Sequence, residues 1–458
     1  MNDLMLPTMW NRYDSCNGIR TGPLTEAGAS DAWGVRLPEG IAGAPGFPEE
    51  GDRPRTDPDV LIVTLRTGFP NGMAAAGRIH LIARALALGG ARPFVLHMNT
   101  SETAPPHRNT EVSGTALGIP FEYAPGRVDR PASFLARRAC TVRGFVRTCA
   151  VIVSGAASGS LRTVLFYERS IFSLLPLMLL CRGLRIRFAL DLVEWPPAME
   201  VGQNGIGRLS LKLYRRIALR AADRVTAISR FLEARAVEIR GVPDGVLHLP
   251  ILGDEGEIPV VRTPVPGRFV LSISGGYSRE LGLALEAFAI AARELPHAEL
   301  HITGGIDASR LDSLLGSGAA GGADRGILPR VRCRGYISRG DLRDLYAGCC
   351  AGVAVLGDDL RSWSRMPTKI AEYAFVGLPL VTAGIGDVAA TFSDGESAFL
   401  YVPGDAGSLA RAMLRAAGGD DAAERVGAAG RQAALDAFSF RRHSDRLTRF
   451  LLDAEDPE

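Results

Sequence analysis

The feature that most constrains this 458-residue chain is an alternation of short apolar strands with helix-spaced text that runs along it twice. Val60–Leu65 is an apolar run ending in the turn-prone Arg66-Thr67-Gly68-Phe69-Pro70-Asn71-Gly72. Ala74–Leu88 then carries helical spacing at Ile79, Ile82, Ala83 and Leu86, Gly89-Gly90 stops it, and Pro93–Met98 reads as the next strand. Strand, glycine loop, helix, strand is a βαβ unit. Thr163–Tyr167 and Ile186–Leu192 read as strands around a helix at Phe172–Cys181, followed by a basic helix at Leu209–Ala221. Val225–Ile228 is a strand leading into a helix for which Ser229 is the expected N-cap. The Pro- and Gly-rich text of Val246–Gly267 marks a domain boundary, with the linker at 251–267. From Arg268 a second series follows, with strands expected at Phe269–Ser274, Glu299–Thr303, Val331–Tyr336, Gly352–Leu356, Leu378–Val381 and Ala398–Val402, and helical text between them. Two such series predict an α/β protein of two Rossmann-like domains (58–250 and 268–440) with parallel sheets covered on both faces. Ligands of such sheets bind at the carboxyl ends of the strands, so two facing sheets define a cleft between domains.

Composition narrows the classes. Residues 1–57 are rich in Gly, Pro, Asp and Glu, show no sustained period, and are expected to form a poorly ordered extension. Seven cysteines without a C-x-x-C pair fit neither a disulfide framework nor a zinc site, and are expected to be reduced thiols. The seven histidines show no metal spacing. No basic start followed by an apolar run opens the chain, so no signal peptide is expected. The greasiest stretch, Ile171–Cys181, is too short to span a bilayer and contains Pro176. Net charge is only +2 but unevenly placed: Arg127–Arg240 holds 20 basic and 8 acidic residues, whereas Ile251 onward holds 22 and 28. The first half therefore suits an anionic partner (a membrane surface, a phosphorylated acceptor or nucleic acid), or else presents a solvated face.

Of 52 basic residues only Lys212 and Lys369 are lysines, and Lys369 lies in the segment with most chemical content, Met366–Val381. That segment reads as a loop, a short helix with Pro367 in its first turn, and a strand. Lys369 and Glu372 are three apart and share a helix face near the N-terminus. The helix dipole favours an anion there, so a lysine makes sense if an anionic ligand lies against it. Glu372, one turn on, could accept two hydroxyl hydrogen bonds from a ribose. An ordinary surface ion pair fits the same spacing. A second constellation is the strand end Ser274-Gly275-Gly276, followed by Arg279 and a helix. Glycines let backbone N–H groups approach a phosphate, and Arg279 could clamp it, although a tight βα turn reads alike. Gly304-Gly305 adds another glycine strand end.

In the first half, Asp191 and Glu194 end a strand. Both can face the cleft only if Glu194 already lies on the loop. One of them could take a proton from an acceptor hydroxyl, and a cap role is the alternative. Gly384-Ile385-Gly386-Asp387-Val388-Ala389, with Asp405 beyond it, matches a dinucleotide fingerprint, but its strand comes late in the domain.

At this point the sequence resembles retaining glycosyltransferases of family 4, which have the GT-B fold of two facing Rossmann-like domains. Four pieces carry the resemblance: the opening glycine loop Gly68–Arg78; Asp223-Arg224-Val225-Thr226-Ala227-Ile228-Ser229-Arg230-Phe231-Leu232; Arg334-Gly335-Tyr336-Ile337 through Leu345-Tyr346-Ala347; and Pro367–Val381, like "P-x-K-x-x-E-Y-x-x-x-G-x-P-x-V". The resemblance implies a nucleoside-diphosphate sugar (UDP- or GDP-linked) held by the second domain as co-substrate, with no other cofactor and no metal. It puts Glu372 on the ribose, Tyr336 and Ile337 at the base, and Lys369 near the diphosphate or sugar. Gly275, Gly276, Gly304, Ser364 and Pro367 line the donor side, and Gly72, Arg78, Asp191 and Glu194 the acceptor side. Catalysis is expected chiefly from Lys369 and from Arg279, which substitutes for the family's arginine in a different register. The pattern departs from the family at Ser364, where a glutamate is usual, at Gly276 and Leu281, where arginine and lysine are usual, and at Leu190-Asp191, where His-Asp is frequent.

The expected activity is retaining transfer of a hexosyl group to a hydroxyl on a saccharide or lipid-linked acceptor, in polysaccharide or glycolipid assembly. The expected setting is the cytoplasm, peripheral to the inner membrane face through Arg127–Arg240, without nucleic acid. A C-terminal helix at 441–458 is expected to pack back on the first domain. The other readings are a catalytically weak GT-B binding or assembly protein and an NAD-dependent oxidoreductase.

Overall fold

The computed structural model describes residues 57–65, 67–103, 107–195, 205–255, 262–273, 278–316, 325–418 and 420–452. The extension before residue 57 and Gly275-Gly276 lie outside the described residues. The first domain runs β1 (Val60–Thr64), α1 (Ala74–Leu88), β2 (Pro93–His97), β3 (Ser113–Ala116), β4 (Ile119–Tyr123), α2 (Phe134–Ala157), β5 (Thr163–Phe166), α3 (Ile171–Gly183), β6 (Arg187–Leu192), α4 (Gly205–Leu213), a π-helical turn (Tyr214–Ala218), α5 (Leu219–Ala221), β7 (Arg224–Ala227), α6 (Arg230–Arg240) and β8 (Val246–His248). The second runs β9 (Val265–Ser272), α7 (Ser278–Glu294), β10 (Glu299–Thr303), α8 (Ala308–Gly316), β11 (Val331–Gly335), α9 (Arg339–Gly348), β12 (Cys349–Ala354), α10 (Leu360–Ser364), α11 (Thr368–Phe375), β13 (Leu380–Ala383), α12 (Gly386–Thr391), β14 (Phe399–Tyr401), α13 (Ala406–Ala416) and α14 (Asp421–Phe438). The last helix, α15 (Ser444–Leu452), returns to the first domain.

The first sheet has eight strands in the order β3-β4-β2-β1-β5-β6-β7-β8 and the second six in the order β11-β10-β9-β12-β13-β14. Every pairing is parallel except β3 with β4. That antiparallel edge departs from the all-parallel expectation, and β9 departs from the expected boundary, since its start at Val265 falls inside the expected linker. The expected Leu209–Ala221 helix is a helical run interrupted by the π turn. Strands such as β1 and β12, buried at every position, carry continuous apolar text because helices cover both faces.

Carboxyl-end loops of the two sheets meet. Ser229, after β7, donates its hydroxyl to the Ser364 carbonyl at 2.9 Å. The Arg230 N–H donates to Asp387, after β13, and His248 Nε2 lies 3.1 Å from the same carboxylate. On the other flank Arg108, in the loop after β2, sets its guanidinium 5.9 Å from the ring centre of Tyr336, after β11. The strand ends that bear the predicted motifs therefore face one another.

α15 is held unusually well. Leu447 and Leu451 are fully buried, and α15 packs on α1, where a side chain on Gly89 would collide with Thr448. Its last carbonyls, left unpaired by the helix end, accept from first-domain side chains: Thr163 Oγ1 to Leu451 at 2.6 Å, Arg187 Nη1 to Leu451 at 2.6 Å, Arg224 Nε to Phe450 at 3.1 Å, and Arg162 to Leu452.

Candidate active site

In the second sheet β9 is the first strand, and its neighbours β10 and β12 lead off in opposite directions. The gap between β9 and β12 is the topological switch point, where an open α/β sheet leaves a crevice at its carboxyl edge. Two segments reach that edge: the end of β9 with the start of α7, and the β12 loop through α10 into α11. The motif picked out from the sequence is thus placed by topology where a ligand can enter.

Side chains bolt these segments together. Tyr373, fully buried on α11, accepts the Ser272 N–H at the end of β9 through its hydroxyl at 2.8 Å. Burial pushes its phenol pKa well up, so it remains a neutral hydroxyl. Arg365, just before α11, pairs with Glu280 in the first turn of α7 at 2.8 Å, with the two side chains only 11% and 10% exposed. This pair escaped the sequence reading although its residues flank Ser364 and Leu281, where the family pattern fails. The acid stands on the α7 side and the base on the α11 side, opposite to the charges that the resemblance leads one to look for. Arg365→Met should lower stability by about 3 kcal/mol because it strands a buried carboxylate. Adding Glu280→Leu should recover most of that loss in thermal or urea melts.

Lys369 and Glu372 do form an ion pair, Nζ to Oε2 at 2.5 Å, with both side chains about one-third exposed on the first turns of α11. Pro367 occupies the N-cap of α11, one position earlier than its expected place in the first turn. Arg279 projects from α7 into solvent and comes within 3.9 Å of Asp359, the N-cap of α10. Burial opposes ionisation of Asp359, but the Ser362 N–H and hydroxyl and the charges of Arg365 and Arg279 outweigh it and hold the carboxyl below its usual range. Gly304 ends β10 at φ +108°, and a Cβ there would sit 2.1 Å from the Ile273 carbonyl oxygen, so only glycine fits. Tyr336 is mostly exposed and Ile337 half-buried at the end of β11.

Ser364 corrects its expected donor contact. It is buried, its hydroxyl donates to the Arg361 carbonyl, and its own carbonyl receives Ser229, which makes it part of the domain junction. Ser229 also caps α6, accepting the Leu232 N–H at 3.2 Å as expected.

The acceptor side is corrected more strongly. Asp191 is buried and accepts from Arg78 Nε at 2.7 Å, Arg78 Nη2 at 2.9 Å and Thr226 Oγ1 at 2.7 Å. Arg78 also donates to the Pro250 and Leu249 carbonyls. The two residues cross-link α1, β6, β7 and the segment after β8, so neither is presented to an acceptor. Glu194 does lie on the loop after β6, ion-paired with Arg169 at 3.0 Å and one-third exposed. Gly72 lies in the loop between β1 and α1, where a Cβ would meet the Thr67 and Gly68 carbonyls at 2.8 Å. Burial holds His97 down near pKa 3 and His80 near 4, so both are neutral core groups.

The dinucleotide reading fails on position and on partners. β13 stands next to the sheet edge instead of at the switch point. Asp387 is engaged by Arg230 and His248, and Asp405 caps α13 by accepting the Ser408 N–H.

Comparison with known proteins places this geometry in a class. HepE from Anabaena, solved in complex with UDP and glucose, superposes with a TM-score of 0.59 at 14% identity over 87% of this chain and 100% of its own. Sucrose-phosphate synthase from Thermosynechococcus elongatus gives 0.60 at 16% identity over 86% and 99%. WaaG, described as a glycosyltransferase involved in lipopolysaccharide biosynthesis, gives 0.55 at 12% identity over 86% and 100%. The fold is GT-B. Residues 268–418, most of the second domain, match the family Glycosyl transferases group 1. No curated protein sequence matches the chain.

Proposed function

We propose that the protein transfers a hexosyl group, with retention, from a UDP- or GDP-sugar to a hydroxyl of a saccharide or lipid-linked acceptor, in polysaccharide or glycolipid assembly at the cytoplasmic face of a membrane. One observation carries this reading: the only lysine of the second domain and a carboxylate one turn later stand at the N-terminus of α11, at the switch point of a group 1 domain. A cation at a helix N-terminus is disfavoured by the dipole unless an anion offsets it, and a diphosphate is such an anion. Glu372 then holds the ribose hydroxyls, and Lys369, Arg279 and the N–H groups of the β9 glycine turn stabilise the departing diphosphate. Tyr336 and Ile337 border the base. On the facing domain Glu194 and the Gly72 loop meet the acceptor, while Arg78 and Asp191 keep that domain's strand ends in place. The UDP and UDP-glucose bound in HepE structures support the donor class.

Thermal shift with UDP, GDP and NAD tests the reading. UDP or GDP should raise the melting temperature, and Glu372→Ala should abolish the rise without lowering the ligand-free melting point by more than a degree or so, since an exposed ion pair contributes little stability. Protection by NAD alone would overturn it.

A further inference from the structure

α2 has 24 residues and is long and apolar enough, by length and composition, to cross a membrane. Its packing says otherwise. One face, Gly144, Thr148, Ile152 and Gly155, is pressed onto the domain. A Cβ on Gly144 would lie 1.9 Å from the Met98 carbonyl oxygen, and one on Gly155 2.7 Å from Leu161, so the helix is seated closely along its length. The opposite face carries Leu135, Ala139, Val142, Val146, Ala150, Val153 and Ala157, three or four residues apart and hence in a single stripe. All are exposed, Leu135 at 76%, Val142 at 62% and Val146 at 60%. Arg138 and Arg143, both exposed, border the stripe on its two sides. The adjacent α3 also turns Phe172 and Leu179 outward, at 58% each. Neither α2, nor α3, nor the helical run Gly205–Ala221 contains an Asp or Glu.

We propose that this face of the first domain docks on an anionic lipid surface, with α2 lying flat in the headgroup region and its Leu135–Ala157 stripe buried among acyl chains. The inference goes beyond the charge asymmetry of the sequence by naming the face that inserts, and it stands independently of the donor-site reading. An apolar stripe bordered by arginines, without acids, is the composition of an interfacial helix. Charge selects the occupant. Two copies of α2 laid face to face would set Arg138 and Arg143 against the same residues with no carboxylate on the helix to offset them, whereas anionic headgroups supply the missing charge.

The test is co-sedimentation of the full chain with vesicles of phosphatidylglycerol and phosphatidylcholine in equal parts, and with phosphatidylcholine alone. Binding to the mixed vesicles should weaken with salt and be much lower on the neutral ones. Leu135→Glu/Val142→Glu/Val146→Glu should reduce binding by more than about tenfold, given the apolar area withdrawn from lipid. Arg138→Gln/Arg143→Gln should reduce it by about fivefold for each charge removed. Melting temperatures like that of the parent show that the variants fold, and the arginine pair alone decides the matter if the triple variant does not. Equal binding of parent and both variants would overturn the proposal. So would a concentration-dependent dimer, seen by ultracentrifugation and abolished by the triple variant, in a protein that ignores vesicles.

Discussion

Replacing Lys369 with alanine is expected to lower kcat/KM for sugar transfer by about 10²- to 10³-fold, the loss seen when one preorganised group facing developing negative charge is removed. The fall should lie mainly in kcat, because diphosphate charge grows as the glycosidic bond breaks and the interaction is stronger in the transition state than in the ground state. Glu372→Ala should instead act mainly on donor affinity. The structure suggests why the two are separable: the ion pair between them is short but partly exposed, so breaking it does little to the fold. Lys369→Arg is the informative control, since it retains charge but changes shape at a helix end with close neighbours. The measurement is initial rates over a donor concentration series once a transferring acceptor is in hand. Unchanged kcat in Lys369→Ala would remove this residue from the chemistry.

The second large effect concerns stability. Arg78→Ala is expected to destabilise the first domain by about 3–5 kcal/mol, because it leaves the Asp191 carboxylate buried with one remaining side-chain donor, Thr226. The Pro250 and Leu249 carbonyls lose their donor at the same time. Desolvation works against the buried guanidinium, but the adjacent Asp191 carboxylate outweighs it and raises its pKa, so Arg78 stays charged. Arg78→Met with Asp191→Leu should recover much of the loss, since an apolar pair of similar volume avoids the desolvation of two charges. Urea melts of the three proteins check this. Activity that disappears in Arg78→Ala while stability is unchanged would return Arg78 to the acceptor site.

Elements whose determinants are local were readable. β1 and α1 follow from an unbroken apolar run, a glycine turn and a 3.6-residue period, and the Ser229 cap follows from one side chain and the backbone three residues on. Lys369 and Glu372 were readable as neighbours because helix geometry brings positions three apart together. What escaped depends on partners far along the chain. Arg78 and Asp191 are 113 residues apart, and Glu280 and Arg365 are 85 apart, with no periodicity linking them. The β3–β4 hairpin was hidden because its turn puts Leu117 at φ +48°, a residue that signals no turn. α2, for which no helix is expected from the sequence, differs in another way: its most regular apolar spacing, which ordinarily marks a core face, is the face turned outward.

The seating of α15 has a consequence for how the molecule is made. The first domain precedes the second in the chain, yet its core is closed by Leu447 and Leu451, and three of its strands, β5, β6 and β7, supply donors to the carbonyls of that last helix. During synthesis from the N-terminus the first domain must wait, with the α1 side of its sheet uncovered, until the whole of the second has been made. The second domain is continuous in sequence from β9 to α14. It can form first as a unit, and α15, which follows it in the sequence, then closes the first domain.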